Sequence, residues 1–151
     1  MLIGAGTVLT EQQVALTRQA GGKFIISPDT NEQVIRATRA ADLVSIPGAL
    51  TPSEAMTAHR AGADFVKLFP VSSMGPAYVK AVRAPLSHIR FLAVGGVNLN
   101  NLSDFLAAGA CGVGMGIGEA EKQALAKGDL YYIENSCRAL TCRVPASRAH
   151  L

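Results

Sequence analysis

Apolar residues in this chain do not alternate with polar ones. They gather in short continuous runs, each followed by a polar, helix-like stretch. The runs fall at about residues 2–5, 23–27, 43–46, 64–69, 90–94 and 111–115. Their starts stand 20 to 26 residues apart, the length of one strand and one helix in a parallel sheet. A continuous apolar run of this length predicts a strand covered on both faces. A recurring phrase precedes most of them, in which a helix ends at Ala-Gly or Ala-Ala: RQAGGKFIIS from Arg18, TRAADLVSI from Thr38, HRAGADFVKLF from His59 and LAAGACGVGMG from Leu106. Glycine just past a helix end takes the left-handed cap position without steric cost.

Helix starts are also marked. Asp29 with Glu32 has capping-box spacing. Thr51-Pro52-Ser53-Glu54 carries a capping hydroxyl, a proline at the first helical position and a glutamate at the third. Asn98 or Asn100 is placed to cap the helix after the fifth strand. Strict strand–helix alternation admits an open doubly wound sheet or a closed eight-stranded barrel. Glycine placement favours the barrel. The fifth strand ends in Gly95-Gly96, and the sixth runs through Gly112, Gly114, Gly116 and Gly118. Barrel enzymes often hold a phosphate in the loops after their last two strands. On that reading the chain supplies strands three to eight of an incomplete (β/α)₈ barrel, with a domain over residues 1–142 and a loose tail over 143–151.

Composition narrows the partners. The chain has 151 residues, is 49% hydrophobic and carries a formal charge of +3. Its basic residues are scattered, which argues against nucleic acid. Its apolar runs are strand-sized and too short to span a membrane. The start, MLIGAG, has no secretory signal pattern. Cys111, Cys137 and Cys142 have no metal-ligand spacing, and free thiols in a reducing cytoplasm are expected. The isolated His59, His88 and His150 give no support for a metal site, and no cofactor is called for.

Lys67 is the most informative residue. It lies near the C-terminal end of a strand expected to be buried, where lysine is rare. Burial disfavours the ammonium and frees the amine to attack a carbonyl. The alternative is a lysine whose head snorkels out at the strand end. Thr7, after Gly4-Ala5-Gly6, could hydrogen-bond a carboxylate. Equally, Thr7 or Thr10 could cap a helix. Gly95-Gly96 before a helix offers free N–H groups to an anion, or is a plain turn. The last glycine cluster is no dinucleotide fingerprint, because it follows the final strand and no acidic residue about 20 positions on closes the unit.

These phrases resemble a known family. IGAGTVL (3–9), ISPDTNEQVI (26–35), SIPGALTPSEAMTAHRAGADFVKLFP (45–70), GPAYVKAV (75–82) and AVGGVNLNNL (93–102) are similar to the 2-keto-3-deoxy-6-phosphogluconate / 4-hydroxy-2-oxoglutarate aldolases, class I enzymes on a (β/α)₈ barrel. GPAYVKAV and LAVGGV look most like the branch acting on 2-dehydro-3-deoxy-6-phosphogalactonate. The resemblance implies a Schiff base at Lys67, with Phe69 lining the pocket. It further implies Thr7 on the pyruvate-derived carboxylate, Pro47 against the substrate, and Gly95, Gly96 and Gly116 at the phosphate. The implied partners are pyruvate and a phosphorylated keto-deoxy sugar acid, and the implied assembly is a homotrimer. K-x-F-P is not expected of other phosphate-binding barrels such as epimerases or synthases.

Two departures qualify the expectation. The family's general-base glutamate and phosphate-clamping arginines belong to two strand–helix units that precede the matched phrases, so the chain reads as N-terminally truncated. Ile117 stands where the family has a phosphate-touching serine. A truncated, non-catalytic product or a weak phosphate-ligand binder is therefore the alternative expectation.

Overall fold

The computed structural model describes residues 2–144. Its elements follow in the order α1 (Glu11–Gln19), β1 (Phe24–Ile26), α2 (Glu32–Ala40), β2 (Val44–Ile46), β3 (Gly48–Ala49), α3 (Pro52–Arg60), β4 (Val66–Leu68), α4 (Gly75–Arg83), β5 (Phe91–Val94), α5 (Leu102–Ala107), β6 (Gly112–Gly114), α6 (Glu119–Ala126) and α7 (Leu130–Thr141). Every strand pairing is parallel. Strands lie in chain order, β1 beside β2 and then β3-β4-β5-β6. A doubly wound sheet reverses its strand order at a switch point. No reversal occurs here, so the barrel reading holds and the open-sheet alternative falls.

The repeat has a single physical cause. The residue just past the helix end in each phrase has positive φ: Gly21 at 82°, Gly62 at 103° and Gly109 at 102°, with Asp42 at 56° in the one copy that lacks glycine. Aspartate is among the few residues that tolerate this region. Each turn points the chain back along the sheet and starts the next strand.

Several boundaries differ from the sequence reading. The run at 2–5 is not a full strand. It joins the sheet by a single bridge, Ala5 to Ile25, with Lys23 N–H donating to Ile3 O at 2.8 Å and Ile26 N–H to Ala5 O at 2.8 Å. The third run is broken at Pro47, which has no N–H to donate. Just before it, the Ser45 N–H goes to the Asp64 carboxylate at 2.9 Å. Asp64 and Phe65, which precede β4, donate to Ser45 O, and Lys67 donates to Pro47 O. The ladder is interrupted where the Ser45 N–H turns to a side chain and Pro47 has none.

Helix α2 is capped by Asn31, not Asp29. The Asn31 side chain accepts from Gln33 N and Val34 N, while the Asp29 carbonyl accepts the Gly48 N–H at 3.1 Å. The loop is thus pinned to β3, and a Cβ on Gly48 would lie 2.2 Å from Pro28 O. Helix α5 takes Asn101 at its N-cap position, without a side-chain cap bond. Asn98 and Asn100 are drawn into the preceding loop instead: Asn101 Oδ1 accepts from Asn98 N, and Asn98 Oδ1 from Asn100 N. Helix α1 starts at Thr10 with a capping box closed by Gln13. Thr51 and Glu54 form theirs as expected.

One face of the sheet packs under the helices. Val66 and Leu68, Phe91 and Ala93 are buried there with Ala55 and Ala58 of α3, Val79 and Val82 of α4, and Leu102, Phe105 and Leu106 of α5. A smaller core gathers Val8, Val14, Ile25, Val34 and Leu43. The other face was expected to be buried too. Instead Phe24, Ile26, Val44, Ile46, Leu92 and Val94 are half-buried, because the described strands do not close around them. Residues 145–151, most of the tail reading, lie outside the described residues.

The α3 cap gives a test. Glu54 Oε2 accepts from the N–H groups of Thr51 and Leu50 and from the Thr51 hydroxyl. Those bonds, the Thr51 N–H foremost, hold its carboxyl below the ordinary value of 4.5. A depressed carboxyl contributes stability that is present above its unfolded value and lost as pH falls through the folded one. Thr51→Ala is expected to lower unfolding free energy by about 1 kcal/mol at neutral pH, measured by urea denaturation. Glu54→Gln should be less stable than the parent at neutral pH and equal to it in strong acid. An unchanged gap across that window would sink the capping account.

Candidate active site

Side chains alternate along a strand. In β4 this sends Val66 and Leu68 into the helix layer and Lys67 to the opposite, half-buried face. The register sets Lys67 beside Gly48 of β3 and Leu92 of β5. Phe69, two residues on, shares the Lys67 face, and the Lys67 Nζ lies 4.2 Å from its ring centroid. Burial pushes the Lys67 amine below its ordinary value of 10.5. Among the described residues, no carboxylate forms an ion pair with it.

The glycines after β5 are fixed by close packing against the segment after β4. A Cβ on Gly95 would lie 3.2 Å from Phe69 Cδ2 and from Pro70, and one on Gly96 would lie 2.6 Å from Ser72 Cβ. The Phe69–Pro70 peptide is cis. Lys67, Phe69 and Gly95 therefore form one contiguous group. Gly96 continues it into a cavity of about 680 Å³ that Gly116 also lines, with Asn98, Met115, Ser136 and Cys137. The two glycine loops do meet, as adjacent strands require. Leu92 and Val94 pair with Gly112 and Gly114. A Cβ on either glycine would come within 3 Å of the side chain opposite. Lys67 itself does not line this cavity.

The other expected residues stand apart. Thr7 is exposed, with φ 57°, a conformation that is strained for a β-branched residue. It caps no helix, since Thr10 does so. It lies beyond β1 and β2 from the lysine. The Pro47 side chain is fully buried. It touches the site through its backbone, its carbonyl accepting the Lys67 N–H at 2.8 Å. Ile117 is exposed beside Gly116. Two features were missed in the sequence. The Asn101 side-chain amide donates to Gly96 O at 3.0 Å and sets the turn. The Tyr78 hydroxyl donates to Leu50 O and anchors α4 over the end of β3. Neither pairing has a signal in sequence spacing.

A family model described as KDPG and KHG aldolase matches residues 1–136. The chain belongs to the KDPG/KHG aldolase family. A 2-dehydro-3-deoxy-6-phosphogalactonate aldolase of Escherichia coli is 44% identical over 116 residues, 76% of this chain and 57% of that protein. A 2-dehydro-3-deoxy-phosphogluconate aldolase of Pseudomonas aeruginosa is 36% identical over 149 residues, 98% of this chain and 68% of that protein. Among solved structures, a KDPG aldolase of Legionella pneumophila, described with pyruvate captured as a covalent carbinolamine, superposes with a TM-score of 0.79 at 29% identity, over 91% of this chain and 68% of that one. A native KDPGal structure gives 0.74 at 44% identity, over 76% and 56%. This family member spans about three-fifths of the length of its first curated relatives. Its sheet is an incomplete (β/α)₈ barrel, with Lys67 near the C-terminal strand ends where such barrels keep their chemistry.

The lowered amine is measurable. The pH midpoint for modification of Lys67 by an amine-selective reagent should lie below that of the side-chain amine of free N-acetyl-lysine, read by competitive labelling and mass spectrometry. The same midpoint for both would remove the case for a desolvated nucleophile.

Proposed function

We propose that this chain carries the Schiff-base half of a class I aldolase acting on a 2-keto-3-deoxy-6-phospho sugar acid of the galactonate or gluconate type. The observation that carries the reading is the Lys67 amine, half-buried at a strand end where desolvation disfavours its charged form, in a member of this family. The neutral nitrogen attacks the C2 carbonyl of the keto acid. The carbinolamine so formed loses water to give an iminium ion. The C4 hydroxyl gives up its proton to water and becomes the aldehyde as the C3–C4 bond breaks; the iminium takes up that bond's electrons, releasing glyceraldehyde 3-phosphate and leaving an enamine. Protonation at C3 and hydrolysis then free pyruvate and return the amine. The covalent pyruvate carbinolamine described for the Legionella relative corresponds to the last adduct of this sequence, the one from which pyruvate leaves.

Phe69 walls the amine from water. Thr7, whose hydroxyl makes no hydrogen bond within the described residues and whose backbone is strained, receives the substrate carboxylate. Gly95, Gly96 and Gly116 receive the phosphate through backbone N–H groups. Pro47 holds the β3 side of the pocket through its backbone. Residues 1–142 form the domain. The protein is cytoplasmic and assembles as a homotrimer. No helix among the described residues is long and apolar enough to cross a membrane.

A second reading, a keto-acid binder without turnover, is favoured by the half-exposed inner face and by the lack, among the described residues, of a carboxylate partner for Lys67. A positioned general base is worth about 10²–10⁴-fold in rate.

Pyruvate with borohydride should add one reduced adduct at Lys67, found by peptide mass mapping, and Lys67→Ala should abolish it. No adduct on this chain, with trapping of a full-length relative in parallel, would refute the Schiff-base role. An adduct without retro-aldol turnover would select the second reading.

A further inference from the structure

His59 and His88 looked isolated along the sequence, yet the fold brings their rings together, with centroids 5.0 Å apart and planes at 71°. His59 lies in the last turn of α3. His88 lies between α4 and β5. Both precede their strands, so the pair sits at the end of the sheet opposite Lys67 and Gly95, and the aldolase reading does not use it. The geometry points to a two-histidine site for a borderline transition-metal ion of the Zn²⁺, Ni²⁺ or Cu²⁺ class, bridging α3 to the segment before β5.

The separation fits chelation. A zinc–imidazole nitrogen bond is about 2.0–2.1 Å, which puts the metal about 3.2 Å from each ring centroid. Two such rings at a tetrahedral angle stand roughly 5.2 Å apart, close to the 5.0 Å found. Both side chains are exposed, and the terminal torsion of histidine is soft. Chelation asks that one nitrogen of each ring turn to a common point while the backbone stays in place.

That backbone is held on both sides. Ala58 is fully buried beside His59, and Ile89 is buried beside His88. The Ile89 N–H donates to Leu86 O at 3.0 Å. A pair fixed in this way loses little freedom on binding. The carbonyl end of α3 adds a negative partial charge that favours a cation. Of the flanking cations, Arg90 places its guanidinium 4.3 Å over the Phe65 ring, and Arg60 lies exposed beside His59. The described residues contain no group of three or more His, Cys, Asp or Glu able to hold a metal. The ion would therefore keep water in its remaining positions, and imidazole suits these three metals among the divalent ions.

The test is zinc chloride added to the whole chain, followed by calorimetry and by thermal melting. An ion that binds the folded state alone raises Tm. Binding elsewhere, at Cys111, Cys137 or Cys142 for example, gives a background common to all variants. The parent should show a saturable step and a Tm rise beyond that background, both missing in His59→Ala and in His88→Ala, and only such a step and rise count below. The double variant should lose no more than either single one, because one ligand alone does not chelate. His59→Gln and His88→Gln provide the same comparison with closer side-chain volume if an alanine variant fails to fold. A step and a Tm rise that survive in either single variant, or are missing from the parent, would overturn the site and leave the two rings as an edge-to-face packing contact.

Discussion

The hydrogen bonds that tie β4 to its neighbours decide which side of the sheet each of its residues meets. Val66 N–H goes to Arg90 O and Lys67 N–H to Pro47 O, and the register with β3 and β5 follows. A slip of one residue would exchange the faces. Lys67 would then enter the helix layer among alanines and valines that cannot satisfy it, while Val66 and Leu68 would leave the core. The fully buried state of those two side chains is therefore what keeps the amine on the concave side. The hydrophobic core and the candidate chemistry rest on one register.

The second constraint is closeness. Gly48 lets the loop after β1 lie against β3, and Gly95 and Gly96 let the end of β5 pack on Phe69, Pro70 and Ser72. A side chain at these points would push the loops away from the lysine. In the proposed function, Gly95 and Gly96 would meet an anion, and the same close packing would set its distance from the amine. A turn and an anion site ask for the same glycines, which is why the two could not be told apart from the glycines alone.

Much of this was legible because it is local. Thr51 with Glu54 and the Ala-Gly turns act within a few residues, so spacing reveals them. The Lys67 face followed from alternation once β4 was placed. What escaped depends on partners distant in sequence. Asp29 and Asn31 are both plausible caps, and the choice was made by Gly48, which takes the Asp29 carbonyl. The approach of His59 to His88 needs the end of α3 to lie beside the turn before β5. The half-exposed faces of Phe24, Ile26, Leu92 and Val94 need knowledge of what surrounds the sheet. Residue type predicted two covered faces, and the described strands supply cover for one.

The break at Pro47 divides more than the strand ladder. The smaller core, from Val8 to Leu43, lies on one side of it, and the larger, from Ala49 to Ala110, on the other. Ile35, which belongs to α2 but packs in the larger core, and the 2.7 Å pair of Arg39 with Asp64 are ties across the seam. A boundary with an interrupted strand ladder and separate apolar clusters is where a protein opens in parts. The amides of β1 and α2 should then exchange with solvent through a cheaper excursion than those of β4 and β5, and the lysine would stay in its register while the other half of the sheet breathes.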